Sequence, residues 1–307
     1  MKPLGDGSTA RLRAALREPD LAGTRYRLIG EAGAGGMGTV YVVEDPELRR
    51  QVALKVLDLP DPDLEARLRR EAQVLARLEH PGIVPVHEVG TLADGRVCYT
   101  MKLVRGERLD LAAARMPLLG DRLRLFLRIT EPVAFAHAQR VVHRDLKPEN
   151  VMVGAFGEVL VLDWGLAKLL EEPAGLAPVR RTDDSAVVGT PGFMPPEQKD
   201  GRSASVDERA DVYALGALLL WLAGPAAPAP VAAIAARASA AKPEDRYPDV
   251  VSLAAEVARF LDGAAVHAYA EGPWRRLVRL ARRHRVALGV LVAYAIGRAL
   301  ILLLSGR

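Results

Sequence analysis

Residues 141–153 read VVHRDLKPENVMV, which sets His143, Arg144, Asp145, Lys147, Glu149 and Asn150 between apolar flanks. Flanks of this kind form short buried strands, and burying so much charge between them is costly unless each group has a partner. A second stretch, GAGGMG, spaces Gly33, Gly35 and Gly38 as G-x-G-x-x-G. With no Cβ in the way, such a run lets backbone N–H groups approach a phosphate closely, although a plain tight turn uses the same spacing. A dinucleotide fingerprint needs a helix directly after the glycines. Here TVYVVED follows, with Val40 and Val42 alternating as in a strand. In VALK, Lys55 ends an apolar strand seventeen residues after Gly38. It either snorkels from a sheet edge or points beneath the glycine run, where it needs an acid to hold it. Glu71 lies beside an apolar helical stripe and faces inward. Glu65 and Glu79 are the alternatives, and an exposed i,i+4 charge pair is the ordinary role for such a glutamate.

The elements that must position these groups are readable from periodicity. Residues 25–60 alternate in RYRLIG, TVYVVED and QVALKVLDL, giving three strands. Residues 64–79 put Leu64, Leu68, Ala72, Leu75 and Leu78 on one face with charges opposite, an amphipathic helix stopped by His80-Pro81-Gly82. Short strands are expected at 83–90 and 96–104. From residue 121 onward the periods lengthen into helices, interrupted by the polar loop and by a hairpin near 151–162. A small β-rich lobe therefore precedes a larger helical one, an α+β arrangement without internal repeats.

Composition narrows the function classes. Apolar residues make up 50% of the 307, ample for a core. Cys98 is the single cysteine, which excludes an intramolecular disulfide and suits a reducing compartment. The start, MKPLGDGSTARLRAALREPD, lacks the apolar centre of a secretory signal and reads as a mobile leader with a short helix over 9–17. The net charge of +4 conceals an asymmetry. Residues 272–307 hold eight arginines and no acid, so 34 basic residues face 38 acidic ones over 1–271, a net of −4. A nucleic-acid binder carries its positive field on the folded body, so no nucleic-acid partner is expected.

The polar run matches the kinase catalytic loop H-R-D-L-x-x-x-N position for position, and Asp163-Trp164-Gly165 follows thirteen residues after Asn150. Glycine run, strand lysine, helix glutamate, loop and Asp-x-Gly come in the required order. Through GGMGTVY, REAQVLARLEHPGIVPV, HRDLKPENVMV and GTPGFMPPEQ, residues 25–262 resemble the eukaryotic-like Ser/Thr protein kinases of bacteria. The resemblance implies a bilobal protein kinase fold that uses ATP and Mg²⁺ to phosphorylate protein Ser/Thr hydroxyls. It makes Asp145 the group that accepts or orients the substrate proton, and Lys147 the partner of the transferring phosphoryl oxygens. Asn150 and Asp163 become the Mg²⁺ ligands, and Lys55, fixed by Glu71, grips the α- and β-phosphates. Gly33, Gly35 and Gly38 cover the phosphates, Val40, Ala53 and Met152 sandwich adenine, Met101 is the gatekeeper, and Leu103 lies in the hinge 102–104. His143 packs in the interior and Trp164 replaces the usual phenylalanine. Arg144 would meet a phosphate on Thr182 or Ser185 of the activation segment 163–197, and Thr190 would mark Ser/Thr preference. Glu197 would bridge to Arg246, and Asp211 would accept N–H groups of the catalytic loop. The other reading is a catalytically weak or silent kinase-fold scaffold at the membrane.

Two departures qualify the resemblance. After DVYALGALLLWLAG the chain reads GPAAPAP (224–230), too short and proline-rich for the substrate-docking helix that the family inserts there. Residues 286–304, VALGVLVAYAIGRALILLL, reach about 28 Å as a helix, against a hydrocarbon layer of ~30 Å. Arg298 costs about 2.5–3.5 kcal/mol there, which the surrounding Leu, Ile and Val offset. The arginines of 275–285 precede the span on the cytoplasmic side. Trp274, Leu277, Val278 and Ala281 share a face suited to anionic membrane lipids. The expected organisation is a leader (1–24), a small lobe (25–104), a large lobe (105–262) shortened after 223, a basic amphipathic segment (263–285) and a transmembrane helix (286–304). The kinase would then be cytoplasmic on a single-pass anchor, with no external sensor. Arg298 would be free to face an acid on a partner transmembrane helix or a second copy.

Overall fold

A computed structural model describes residues 18–35, 38–58, 61–164, 168–169, 192–199, 206–270, 272, 289–290 and 292–298. Two antiparallel strands, β1 (Arg27–Gly35) and β2 (Gly38–Asp45), form the glycine hairpin, with Gly33 opposite Val40 and Gly35 opposite Gly38. Strand β3 (Arg50–Val56) follows, then helix α1 (Pro62–Leu75), β4 (Val86–Thr91) and β5 (Val97–Lys102). The five strands make one antiparallel sheet in the order β1-β2-β3-β5-β4. Residues 18–24, assigned to the leader from sequence, lie against this sheet: Arg96 donates to the Glu18 carbonyl at 2.7 Å, and Leu21 packs on its outer face.

Helix α1 begins where its local chemistry dictates. Asp61 accepts from the N–H groups of Asp63 and Leu64 at 2.9 and 3.1 Å, and Pro62 needs no donor in the first turn. The helix ends at Leu75, four residues before the expected stop. The next residues turn so that Leu78 is buried, and the residue before Pro81 is disfavoured in the α region. The strand expected from residue 83 begins only at Val86. Pro85 has no N–H for the ladder, and Ile83 instead bridges to Val161 in the large lobe. Strand β5 is likewise trimmed to 97–102.

In the large lobe, β6 (Gly106–Arg108) leads into the short α2 (Leu109–Ala114) and then α3 (Leu119–Ala138). Strand β7 (Val141–Val142) enters the catalytic-loop region, and a single 3₁₀ turn, Pro148–Asn150, leaves it. The hairpin β8 (Val151–Gly154) and β9 (Val159–Val161) stands where it was expected, with β6 on its edge, and β10 (Lys168–Leu169) pairs with β7. Then come α4 (Pro196–Lys199), the buried α5 (Arg209–Ala223), α6 (Ala229–Ala238) and α7 (Val250–Leu261). Helices α5 and α6 cross closely at Gly216, where a Cβ would stand 2.6 Å from that of Ala238. Only residues 224–228 connect the two helices, and Gly224 ends α5 at φ +73°.

Residues 289–290 and 292–298 are helical, with Val290, Val292, Tyr294 and Ile296 exposed. Among the described residues no helix is long and apolar enough to cross a membrane. Residues 286–288, 291 and 299–304 of the expected span lie outside them, as do residues 1–17, residues 271 and 273–285 of the basic segment 263–285, and Thr182, Ser185 and Thr190.

Candidate active site

The two lobes face each other across a cavity of about 580 Å³. Its roof is the glycine hairpin and the inner face of the sheet, and its floor is the catalytic loop with the residues after β9. Strand alternation decides who looks in. On β3, Leu54 faces outward and Lys55 inward; opposite them on β5, Thr100 pairs with Leu54 and Tyr99 with Lys55. The Lys55 Nζ meets both carboxylate oxygens of Glu71, at 2.8 and 2.9 Å. Glu71 is 3% exposed on the buried face of α1, so neither Glu65 nor Glu79 is needed. Across the cavity, Asp163 lies 3.8 Å from the same amine with its side chain 52% exposed.

Sequence reasoning passed over Tyr99, whose hydroxyl donates to Glu71 Oε1 at 2.8 Å. Burial first, and the Glu71 charge second, push its phenol well above the usual range, so it stays a donor. The signal was present: in VCYTMK, Tyr99 shares a strand face with Met101. Arg108 was also missed. It lines the cavity beside Glu149, 3.8 Å away.

The buried polar run has its partners. Asp211, fully buried at the start of α5, accepts from the N–H of His143 and of Arg144 at 2.8 Å each, and from His137 Nε2 at 2.8 Å. Burial alone would raise this carboxyl. The hydrogen bond and charge of His137, with His143 and the Arg144 N–H, instead hold it below the ordinary range. His143 has no exposed surface; its Nδ1 accepts from the Asp145 N–H at 3.2 Å and its Nε2 donates to the Leu162 carbonyl at 2.9 Å. Its ring packs on Trp164 at 4.6 Å, so the tryptophan fills the interior as a large plug. Arg144 (φ +72°) and Asp163 (φ +59°) occupy the left-handed region at a cost of about 1–2 kcal/mol each. The Asp211 bonds, and Gln198 Nε2 donating to the Arg144 carbonyl at 2.9 Å, hold the first of these.

This scaffold fixes three side chains together. Lys147 Nζ lies 2.8 Å from Asp145 Oδ2, and Asn150 Nδ2 donates to that oxygen at 3.0 Å and to the Asp145 carbonyl at 2.8 Å. Asp145 Oδ1 makes no hydrogen bond to a described residue. Among the described residues no three acidic, histidine or cysteine side chains form a ready-made metal cage. Asn150 and Asp163 suit a hard ion that completes its shell with water and phosphate oxygens. Above them, a Cβ at Gly33 would meet nothing within 4 Å, leaving that backbone open to a ligand. At Gly38 (φ +146°) a Cβ would run into the Val56 carbonyl oxygen.

Gly33, Gly38, Val40, Lys55, Glu71, Met101, Asp145, Asn150 and Asp163 all line the cavity. Gly35 lies at the end of β1 opposite Gly38, Ala53 on β3 opposite Met101, Leu103 just past β5, and Met152 on β8 opposite Leu160; these four are not among its lining residues. Lys147 reaches the site through Asp145. Below the loop, Arg246 and Glu197 form a buried bidentate pair at 2.7 and 2.8 Å.

The protein kinase domain family matches residues 26–262. The serine/threonine-protein kinase PknD of Protochlamydia amoebophila is 36% identical over 225 residues, 64% of this chain and 23% of that protein. A probable serine/threonine-protein kinase of Streptomyces coelicolor is 40% identical over 215 residues, 67% of this chain and 31% of the relative. The DNA damage-responsive serine/threonine-protein kinase RqkA of Deinococcus radiodurans is 40% identical over 213 residues, 66% of this chain and 30% of the relative. The aligned regions thus span only about a quarter to a third of these relatives' lengths. Loop, ion pair and family match agree, and the chain belongs to the protein kinase family.

Proposed function

We propose that this chain is an ATP-dependent serine/threonine protein kinase. The observation that carries the reading is the convergence of the Lys55–Glu71 pair, Asp163 and the Asp145–Lys147–Asn150 cluster on one interlobe cavity. In phosphoryl transfer the protein mainly positions groups and offsets charge on a loose transition state. Lys55, oriented by Glu71 and Tyr99, would hold the α- and β-phosphates of ATP. Asn150 and Asp163 would hold Mg²⁺, which supplies charge neutralisation at the phosphate oxygens. Asp145, fixed through Oδ2, would orient a Ser or Thr hydroxyl with Oδ1, and Lys147 would face the phosphoryl oxygens beside it. Gly33, Gly35 and Gly38 would cover the phosphates, with Val40, Ala53, Met101, Leu103 and Met152 around adenine. The formed Lys55–Glu71 pair speaks against a silent scaffold.

Regulation belongs to the same proposal. Phosphate on Thr182 or Ser185 would pair with Arg144 and order the activation segment. The five-residue link 224–228 leaves one wall of protein-substrate docking out, which favours autophosphorylation or a tethered partner. Residues 286–304 would anchor the domain in the cytoplasmic membrane beside anionic lipids. Incorporation of radiolabelled phosphate from Mg-ATP, wild type against Asp145→Asn, tests the activity. Equal labelling of both would remove the assignment, and efficient turnover of many free peptides would contradict the docking argument.

A further inference from the structure

The start of α3 and the end of α5 meet at one corner of the large lobe: a Cβ at Gly224 would stand 3.8 Å from Arg122 Nη1. Leu220 and Trp221 lie one turn before Gly224, whose N–H donates to the Leu220 carbonyl at 3.0 Å. Leu118 lies one turn before Arg122, which donates its N–H to the Leu118 carbonyl at 3.3 Å. All three apolar side chains are exposed, Leu118 at 64%, Leu220 at 47% and Trp221 at 40%. The link 224–228, with Pro225 and Ala226 themselves exposed, leaves this corner uncovered.

Other arginines of α3 and its end find acids. Arg124 holds Asp121 at 2.9 Å, and Arg140 reaches Glu208 at 3.3 Å. Arg122 is half-buried, its guanidinium makes no hydrogen bond or ion pair among the described residues, and its Nε is buried without a partner. A cation held unpaired beside apolar side chains is costly, and a carboxylate that takes its terminal N–H groups offsets that cost.

The charge selects the occupant. One guanidinium balances one carboxylate, whereas a phosphoryl dianion would leave charge over against leucine and tryptophan. An anionic membrane surface recognises clusters of basic residues, and Arg124, already paired with Asp121, adds no free charge here. Tryptophan and arginine side by side are the residues that most often anchor a protein interface.

We propose that this corner docks a protein segment that sets an Asp or Glu side chain on Arg122 and an apolar side chain against Trp221 and the leucines. None of these four residues lines the interlobe cavity. Docking here needs no nucleotide, so its failure would leave the kinase reading intact.

The probes are nine-residue peptide libraries with a central Asp, Glu, Asn, Gln, Lys or Arg and random flanks, captured without nucleotide on the full chain immobilised in detergent. The Asp and Glu libraries should be retained, enriched in Leu, Ile, Phe or Trp beside the acid. Affinity for a peptide recovered from them should fall about tenfold to hundredfold in Arg122→Gln, the worth of a hydrogen-bonded charge. Arg122→Glu should switch retention to the Lys and Arg libraries. Trp221→Ala should weaken binding about fivefold or more while keeping the acidic preference. Thermal melts check that each variant folds, and the exposed Trp221 tests the same corner should Arg122→Glu not fold. No acidic preference, an acidic preference that survives Arg122→Gln, or affinity unmoved by Trp221→Ala would each overturn the proposal. With no acidic library retained, vesicle binding or dimerisation that depends on Arg122 would give this corner to a phosphatidylserine membrane or to a second copy, and the proposal would fall.

Discussion

Two buried ion pairs with similar distances do opposite work. Arg246 and Glu197 form a fork, and the remaining arginine donors reach the carbonyls of Arg209, Ala240 and Ala241 at 2.8–3.1 Å. The arginine side chain has no exposure, and each of its nitrogens donates within the lobe. Lys55 and Glu71 form a point contact at the wall of an open cavity, with Asp163 only 3.8 Å from the same ammonium. The first pair is closed and holds a fold. The second, on the proposed reading, would keep its charge available for a ligand. The exposure of the cation and the number of donors it uses separate the two roles; distance alone does not.

The comparison can be broken from either side. Lys55→Met should lower phosphate incorporation by about 10²–10³-fold, the usual size of a lost electrostatic stabiliser, while leaving a cooperative melt, since Glu71 keeps its bond from Tyr99. Arg246→Met should do the reverse. Stranding Glu197 inside the lobe costs about 3–5 kcal/mol in denaturant titration, with the folded fraction keeping its nucleotide affinity. Arg246→Met with Glu197→Met should recover much of that loss, because no lone charge remains. If Lys55→Met proved the more destabilising of the two, the distinction would be wrong.

Acid sharpens the contrast further. Asp211 has a folded-state pKa below its unfolded value, so its contribution to stability is fully present above about pH 4 and is lost as pH falls through the folded value. Asp211→Asn should flatten the stability curve in that acid range, read by denaturant midpoints at successive pH values. The smallest effect belongs to Tyr99→Phe. It removes one hydrogen bond from Glu71, about 1 kcal/mol, and should weaken nucleotide binding severalfold without altering the Arg246–Glu197 end of the molecule.

What the sequence made legible follows the reach of local rules. The glycine hairpin, the Lys55 strand, the amphipathic helix with Glu71 turned inward, and the short link after α5 are all consequences of residues close together in the chain. Charged groups inside an apolar frame announced that partners exist but could not say which. His137 binds Asp211 across 74 residues, and no spacing encodes that meeting. Tyr99 gave no signal of its own, because a buried tyrosine with one polar contact has the same strand pattern as one with none. The early end of α1 and the late start of β4 were decided by Pro81, Pro85 and the contact of Ile83 with Val161, where lobe packing overrides apolar alternation.

The central claim is that Lys55, Asn150 and Asp163 together receive a magnesium-bound nucleotide. Calorimetric titration of a non-hydrolysable ATP analogue, with and without Mg²⁺, tests it on wild type and Asp163→Asn. The account predicts that Mg²⁺ strengthens binding to wild type and adds nothing to the variant. Equal affinity of wild type with and without the metal, or a full Mg²⁺ gain in Asp163→Asn, would contradict it.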